Sequence, residues 1–286
     1  MKDTTDKTRS YGMKNAKHLK CPNCGKNLFE KENILTCGKH CFDIAKEGYV
    51  NLCIHGKADS GDSKEMIASR RNFLDKEFYK PVLDELCSIV EKYMPDSEEN
   101  VILDMGCGEG YYLGHLQKYL EKIGKDTECY GFDLSKYAVR TASKKYGDVN
   151  WMVANVADVP MQDKSCNIVL SMFANVTETE TNRIIKDNGI LILVRAGLSH
   201  LLEMRKIIYP EIHERYSPTV LPENYELLEK RDIKFNIHMT DGNDMKNLLM
   251  MTPHYWKVKE ENRQKLYNTP VLDTTAEIEY YILKKD

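Results

Sequence analysis

Long apolar runs are missing from this chain. Of its 286 residues, 42% are hydrophobic and 30% charged, and no stretch approaches the ~18 uninterrupted apolar residues of a membrane-spanning helix. A helical membrane protein is excluded, and no membrane partner is expected. The first twenty residues, MKDTTDKTRSYGMKNAKHLK, lack the apolar centre of a secretory signal. They read as a loose basic leader, and the protein is expected in the cytoplasm. Internal repeats and low-complexity tracts are absent too, which sets repeat architectures aside.

The prerequisites of a disulfide framework are also missing. The nine cysteines are odd in number, no export signal accompanies them, and three fall within Cys21 to Cys37. In a reducing compartment such clustering points to metal rather than to cross-links. Strong net charge is lacking as well, at −3 for the chain. Its distribution is uneven. Residues 1–57 hold eleven Lys/Arg against six Asp/Glu, so the remainder carries −8. A phosphate-rich ligand would therefore be gripped mainly at the basic front.

The length suits one large domain plus a small one. The expected division is a leader over 1–20, a zinc-binding module over 21–57, a helical linker region over 58–98 and a large domain over 99–286. A polar link, HGKADSGDS, runs from His55 to Ser63. From Lys64 to Tyr93 the pattern is helical, with Val82, Leu83, Leu86, Ile89, Val90 and Tyr93 at three- and four-residue spacing.

Beyond residue 100, strands and helices alternate. VILDM (101–105) precedes a Gly-rich turn and a helix with Leu113, Leu116, Leu120 and Ile123 on one face, closed by Gly124. ECYGFD (128–133) precedes a helix opening at Ser135, an N-cap candidate. VNWMVA (149–154) is followed by a turn. NIVLSMF (167–173) precedes a helix near 177–187, and GILILVRA (189–196) one over 199–209. IKFNIHM and AEIEYYIL read as an antiparallel finish. The pattern predicts an α/β fold with a mostly parallel, doubly wound, Rossmann-like sheet. Its ligand would lie at the carboxyl ends of the strands.

The central motif is Asp104-Met105-Gly106-Cys107-Gly108-Glu109-Gly110, between a strand and a helix. Alone, a Gly-rich turn also fits a dinucleotide fold. Asp104 at the mouth of the turn would repel a pyrophosphate, whereas it suits the cationic ammonium of S-adenosylmethionine. Asp133 ends the next strand and can accept both ribose hydroxyl hydrogens. Asn155, after the third strand, would meet the adenine edge, with Val156 beside the ring.

Cys21-Pro-Asn-Cys24 followed by Cys37 supplies three soft ligands at knuckle spacing, which favours a structural zinc ion. The fourth ligand is His40 or Cys41, since both spacings from Cys37 are feasible. Cys53, Cys87 and Cys166 read as ordinary buried side chains.

The run Phe42-Asp43-Ile44-Ala45-Lys46-Glu47-Gly48-Tyr49-Val50-Asn51-Leu52 resembles the segment that follows the zinc site in bacterial 23S rRNA guanine-N1 methyltransferases. The resemblance continues through Gly61-Asp62-Ser63, Glu65-Met66, Arg70-Arg71-x-Phe73-Leu74-Asp75, the Asp104 to Tyr112 motif and Met251-Thr252-Pro253-x-x-Trp256. It implies methyl transfer from S-adenosylmethionine to N1 of a guanine in a 23S rRNA hairpin loop. It also implies a homodimer and, in some members, a link to macrolide resistance. Cofactor contacts carry over to Tyr79, Gly108, Glu109, Asp133 and His200, and zinc ligands to Cys21, Cys24, Cys37 and His40. The family usually places three residues between its last cysteine and the histidine, whereas this chain has two. Anchoring on Phe42-Asp43 selects His40.

Phe173 is a candidate for stacking the target base. Arg70, Arg71 and Lys46 are candidate phosphate contacts. The Asn-Pro-Pro-Tyr motif of many adenine-amino methyltransferases is absent, which fits a ring-nitrogen target. Two other classes share parts of the pattern. A small-molecule methyltransferase has no evident need for a basic zinc knuckle, and a non-catalytic RNA- or antibiotic-binding protein has none for the Asp104 and Asp133 pair.

Overall fold

The computed structural model describes residues 13, 15–54, 62–97, 99–212 and 219–286. Most of the expected leader and most of the polar link at 55–63 lie outside the described residues.

The front module is a three-stranded antiparallel sheet of β1 (Phe29–Lys31), β2 (Ile34–Thr36) and β3 (Cys41–Asp43). Strand β4 (Tyr49–Asn51) belongs to the same stretch of sequence but pairs elsewhere. It runs parallel to β7 (Asn150–Val153), with Tyr49 opposite Trp151, and becomes the eighth strand of the large sheet.

The helical stretch from Lys64 divides in two. Helix α1 (Lys64–Leu74) opens on Ser63, whose hydroxyl accepts the Met66 N–H, and α2 (Lys80–Tyr93) opens with Pro81 in its first turn. Glu77 between them has φ of 61°, so the helical stretch is broken there into two helices. Proline fits a helix start and opposes continuation from the preceding turn. The rings of Phe73, Phe78 and Tyr79 pack together in the break.

Strands β5 (Asn100–Met105), β6 (Thr127–Asp133), β8 (Cys166–Met172) and β9 (Ile185–Ala196) join β7 in the parallel part. Strands β10 (Tyr225–Met239) and β11 (Leu272–Lys285) complete it antiparallel, as expected, but are longer than the sequence pattern suggests. The order is β10-β11-β9-β8-β5-β6-β7-β4. Helix α3 (Tyr111–Lys122) buries Leu113, Leu116 and Leu120, whereas Ile123 caps it and is exposed. Helix α4 (Lys136–Lys145) is capped by Ser135, as expected. Helix α5 (Glu178–Ile184) is shorter than the expected 177–187, because Ile185 is buried opposite Cys166 as the start of β9. Helix α6 (Leu202–Ile208) falls within the expected span, and α7 (Gly242–Met250) and α8 (Glu260–Tyr267) fill the stretch before β11.

The two faces of the sheet are covered differently. Helices α2, α3, α4, α6 and α7 supply one core, where Ile102 of β5 packs. The other core receives Val101, Leu103 and Met105 of the same strand, as strand alternation requires. That second layer is built from Met13, Ala16 and Leu19, the zinc module and the 154–161 segment, with Ile184 of α5. The expected double winding is therefore incomplete. Residues 13 and 15–20, expected to end a loose leader, instead pack down: Asn15 donates to Glu128 at 2.7 Å and Lys17 pairs with Glu99.

Candidate active site and metal centre

The motif after β5 turns on three glycines with left-handed backbone, Gly106 (φ 77°), Gly108 (φ 55°) and Gly110 (φ 82°). A methyl group on Gly110 would lie 2.6 Å from Trp151 and 2.8 Å from Ala142. Only glycine fits both the dihedral and the space. Gly108 donates its N–H to Asp133 at 3.0 Å, and the same carboxylate accepts the Ser135 N–H at 2.8 Å.

This turn forms one wall of a cavity of about 560 Å³ at the carboxyl ends of the strands. Six predicted cofactor residues line it: Tyr79, Gly106, Gly108, Glu109, Asp133 and His200. Asp104 and Asn155 do not. Asp104 lies buried beneath the turn rather than at its mouth. Asn155 uses its side-chain oxygen to accept the Ala157 N–H at 3.0 Å. Phe173 and Arg70 do reach the wall, while Arg71 faces a separate groove with Lys144 and Lys145.

The acidic wall is electrostatically tense. Burial, reinforced by Asp133 and Glu109, pushes the Asp104 carboxyl up to about 8. Burial likewise raises Glu109 to about 7, against the pull of Arg70 and Lys145. Asp133 is also raised by burial, with its two N–H donors opposing the shift. Asp104 Oδ1 and Glu109 Oε2 are buried without a hydrogen-bond partner among the described residues. Unpaired buried acceptors beside a glycine cradle suit a cationic, hydroxyl-bearing ligand.

Tyr79 and His200 form a linked pair. The Glu277 backbone N–H donates to His200 Nδ1 at 3.2 Å, and His200 Nε2 lies 3.2 Å from the Tyr79 hydroxyl. Burial lowers the histidine to about 4, so its ring is neutral with the proton on Nε2. The Tyr79 hydroxyl hydrogen is then free for the cavity.

Sequence reasoning missed Asp62, Tyr112, Arg195 and His254, which also line the cavity. Asp62 pairs with Arg70 at 2.8 Å. His254 contacts Tyr209 at 2.9 Å. Among these four, Asp62 and Tyr112 lie within motifs of the family resemblance and His254 at an unassigned position of the Pro253-x-x-Trp256 motif, all without an assigned role, whereas Arg195 had no local signal.

In the front module, Cys21, Cys24, Cys37 and His40 bring their ligand atoms within 4.8 Å of one another. Cys21 Sγ lies 3.4 Å from His40 Nδ1, and Cys24 and Cys37 are 3.6 Å apart at sulfur. Tetrahedral zinc with bonds of about 2.3 Å spaces its sulfurs at about 3.8 Å, so the donors fit in number, type and separation. Cys41 turns away and donates to Thr36 at 3.5 Å.

A Rossmann-like sheet whose glycine turn and second-strand acid share one cavity defines a methyltransferase dependent on S-adenosylmethionine, here joined to a ribbon with structural zinc. Known proteins sharpen that class. A family model described as a methyltransferase domain matches residues 102–188, and one described as "RlmA, N-terminal" matches residues 19–55. The chain is 30% identical over 271 residues to the protein of Bacillus subtilis (strain 168) named "Putative 23S rRNA (guanine-N(1)-)-methyltransferase YxjB", covering 92% of this chain and 96% of that one. It is 32% identical over 190 residues to the 23S rRNA (guanine(748)-N(1))-methyltransferase of Streptomyces fradiae, covering 66% of each chain. The chain belongs to the 23S rRNA (guanine-N1)-methyltransferase family.

Proposed function

We propose that this protein transfers a methyl group from S-adenosylmethionine to N1 of a guanine in a 23S rRNA hairpin loop, acting in the cytoplasm as a homodimer. The observation that carries the reading is the asymmetry of the cavity. One wall is acidic and glycine-rich, at the ends of β5 and β6, and the other carries Phe173, Arg195 and His200, at and beyond the ends of β8 and β9. The acidic side suits the ammonium and ribose of the donor. The opposite side suits a flat, polar base drawn out of its loop.

S-adenosylmethionine supplies an electrophilic methyl group when bound. The residues of this chain do the remaining work. Asp133 accepts the ribose hydroxyls while held by Gly108 and Ser135. Glu109 and, from beneath the turn, Asp104 favour positive charge at the methionine end. Tyr79, oriented by His200, closes the cavity and turns a hydroxyl inward. Phe173 offers an aromatic face and is 40% exposed with φ of 57°, a strained setting for a residue with a side chain. Holding the reacting atoms in line supplies much of the acceleration.

Residues 21–57 serve as the RNA-recognition module, 58–98 as the helical link and 99–286 as the methyltransferase domain, with β4 tying the first to the last. Phosphates meet Lys46, Arg70 and Arg71, and Arg71 shares its groove with the cations of α4. On this reading, part of the RNA grip belongs to the net-acidic portion of the chain. The family likeness supports the homodimer, which sedimentation would report as twice the chain mass.

The test is transfer of labelled methyl. With donor, unmodified 23S rRNA and a pool of small metabolites, label is expected in the rRNA. Label in the small molecules alone overturns the reading.

A further inference from the structure

Among the described residues, Arg195 is the one arginine or lysine lining the cavity without a carboxylate partner, since Arg70 is paired with Asp62. Its guanidinium is anchored from one side only. Nη1 donates to the Ser171 carbonyl at 3.3 Å, the Ser171 hydroxyl at 3.2 Å and the Val194 carbonyl at 2.9 Å. Nε and Nη2 have no hydrogen-bond partner among the described residues. A half-buried guanidinium with idle donors leaves recognition capacity unused.

The strand order says which ligand it meets. Asp133 ends β6, on one side of β5, and Arg195 lies near the end of β9, on the other side with β8 between. A donor whose ribose is held at Asp133 therefore directs its other end toward β8 and β9. Arg195 stands with Phe173 where the methyl acceptor must lie.

We infer that Arg195 donates hydrogen bonds to O6 of the target guanine, so that it both selects a 6-oxopurine and stabilises the negative charge reaching O6 as N1 loses its proton. The inference rests on the rRNA reading above. In the balanced step the N1 proton passes to solvent water. The freed pair on N1 forms the bond to the donor's methyl carbon, and the carbon–sulfur bond breaks with its pair going to sulfur. Charge left on N1 is shared with O6, so a fixed cation there acidifies N1. Adenine presents an amino group at the same position, and two donors facing each other are unfavourable.

The experiment compares the wild type with Arg195→Gln and Arg195→Lys, using hairpin RNA with guanine, inosine or 2-aminopurine at the target. Adenosylhomocysteine affinity and thermal unfolding serve as folding controls. Expected for Arg195→Gln is a kcat on guanine lower by about 100-fold, with the alkaline rise of the rate moved to higher pH. Lysine should restore part of both. Binding of the wild type should favour inosine over 2-aminopurine, and Arg195→Gln should lose that preference. Wild-type kcat, pH profile and base preference in a folded Arg195→Gln would overturn the inference while leaving the rRNA reading intact. A wild type that puts no methyl on guanine N1 would overturn that reading, and the Arg195 assignment with it.

Discussion

Gly108 and Asp133 are joined by a 3.0 Å hydrogen bond from the glycine amide to the carboxylate. The bond links the turn after β5 to the end of β6 and fixes the acid before any ribose arrives. Asp133→Ala removes this bond and the Ser135 bond as well as the ribose acceptor. A lost hydrogen bond to a charged group costs about 2 kcal/mol, or roughly 30-fold in affinity. Calorimetry with adenosylhomocysteine should show weakening of at least that size, with the fold retained by circular dichroism.

Two glycine substitutions separate packing from backbone preference. At Gly110 a methyl group meets Trp151 and Ala142 in a left-handed residue, whereas Gly124 (φ 74°) has nothing within 4 Å. Gly110→Ala should cost about 3 kcal/mol, and Gly124→Ala about 1 kcal/mol. Thermal unfolding of the pair checks the difference.

Donor affinity should depend on pH through Asp104 and Glu109, raised to about 8 and about 7 in the free protein. A cationic ligand favours their charged forms and lowers both values. Near pH 6 binding must therefore expel protons, and affinity should rise as pH climbs from about 6 to about 8. Calorimetry in buffers of different ionisation enthalpy would report the protons released. A flat profile would remove these carboxyls from the account.

The zinc cluster predicts unequal effects at neighbouring positions. His40→Ala should lose the bound zinc and loosen the ribbon, because the ion holds together strands of three residues each. Cys41→Ser should keep one zinc per chain, since Cys41 bonds Thr36 instead. Metal analysis of the purified variants decides between them.

RNA affinity should fall steeply with salt. Replacing Arg71 and Lys144 by glutamine should reduce the log–log slope by roughly 0.7 to 0.9 for each phosphate that is no longer neutralised. Adenosylhomocysteine binding should not change. An unchanged slope would mean that the α1/α4 groove does not touch the RNA.

How much of this is legible in the sequence follows from the range of the interactions. The glycine turn and Asp133 can be read because each is fixed by its own strand end. The zinc ligands can be read except for the choice between His40 and Cys41, which depends on how the chain turns between β2 and β3. Strand β4 escapes notice because Tyr49–Asn51 pairs with Trp151–Val153, about a hundred residues away. Adjacency in sequence suggests Asp104 at the mouth of the turn, but the strand carries it beneath. Asn155 follows a strand end that suits adenine, yet a local turn engages its side-chain oxygen. Arg195 gives no signal and Tyr112, inside the glycine motif, carries no assigned role, since only the order of β9, β8 and β5 and the packing of α3 bring them to one cavity.

Primer extension across 23S rRNA treated with protein and S-adenosylmethionine tests the central claim most directly. A methyl group on N1 blocks the pairing edge of guanine, so the account predicts one new stop beside an unpaired guanine, dependent on both protein and donor. Methyl incorporation without any stop, or a stop at an adenine, would contradict it.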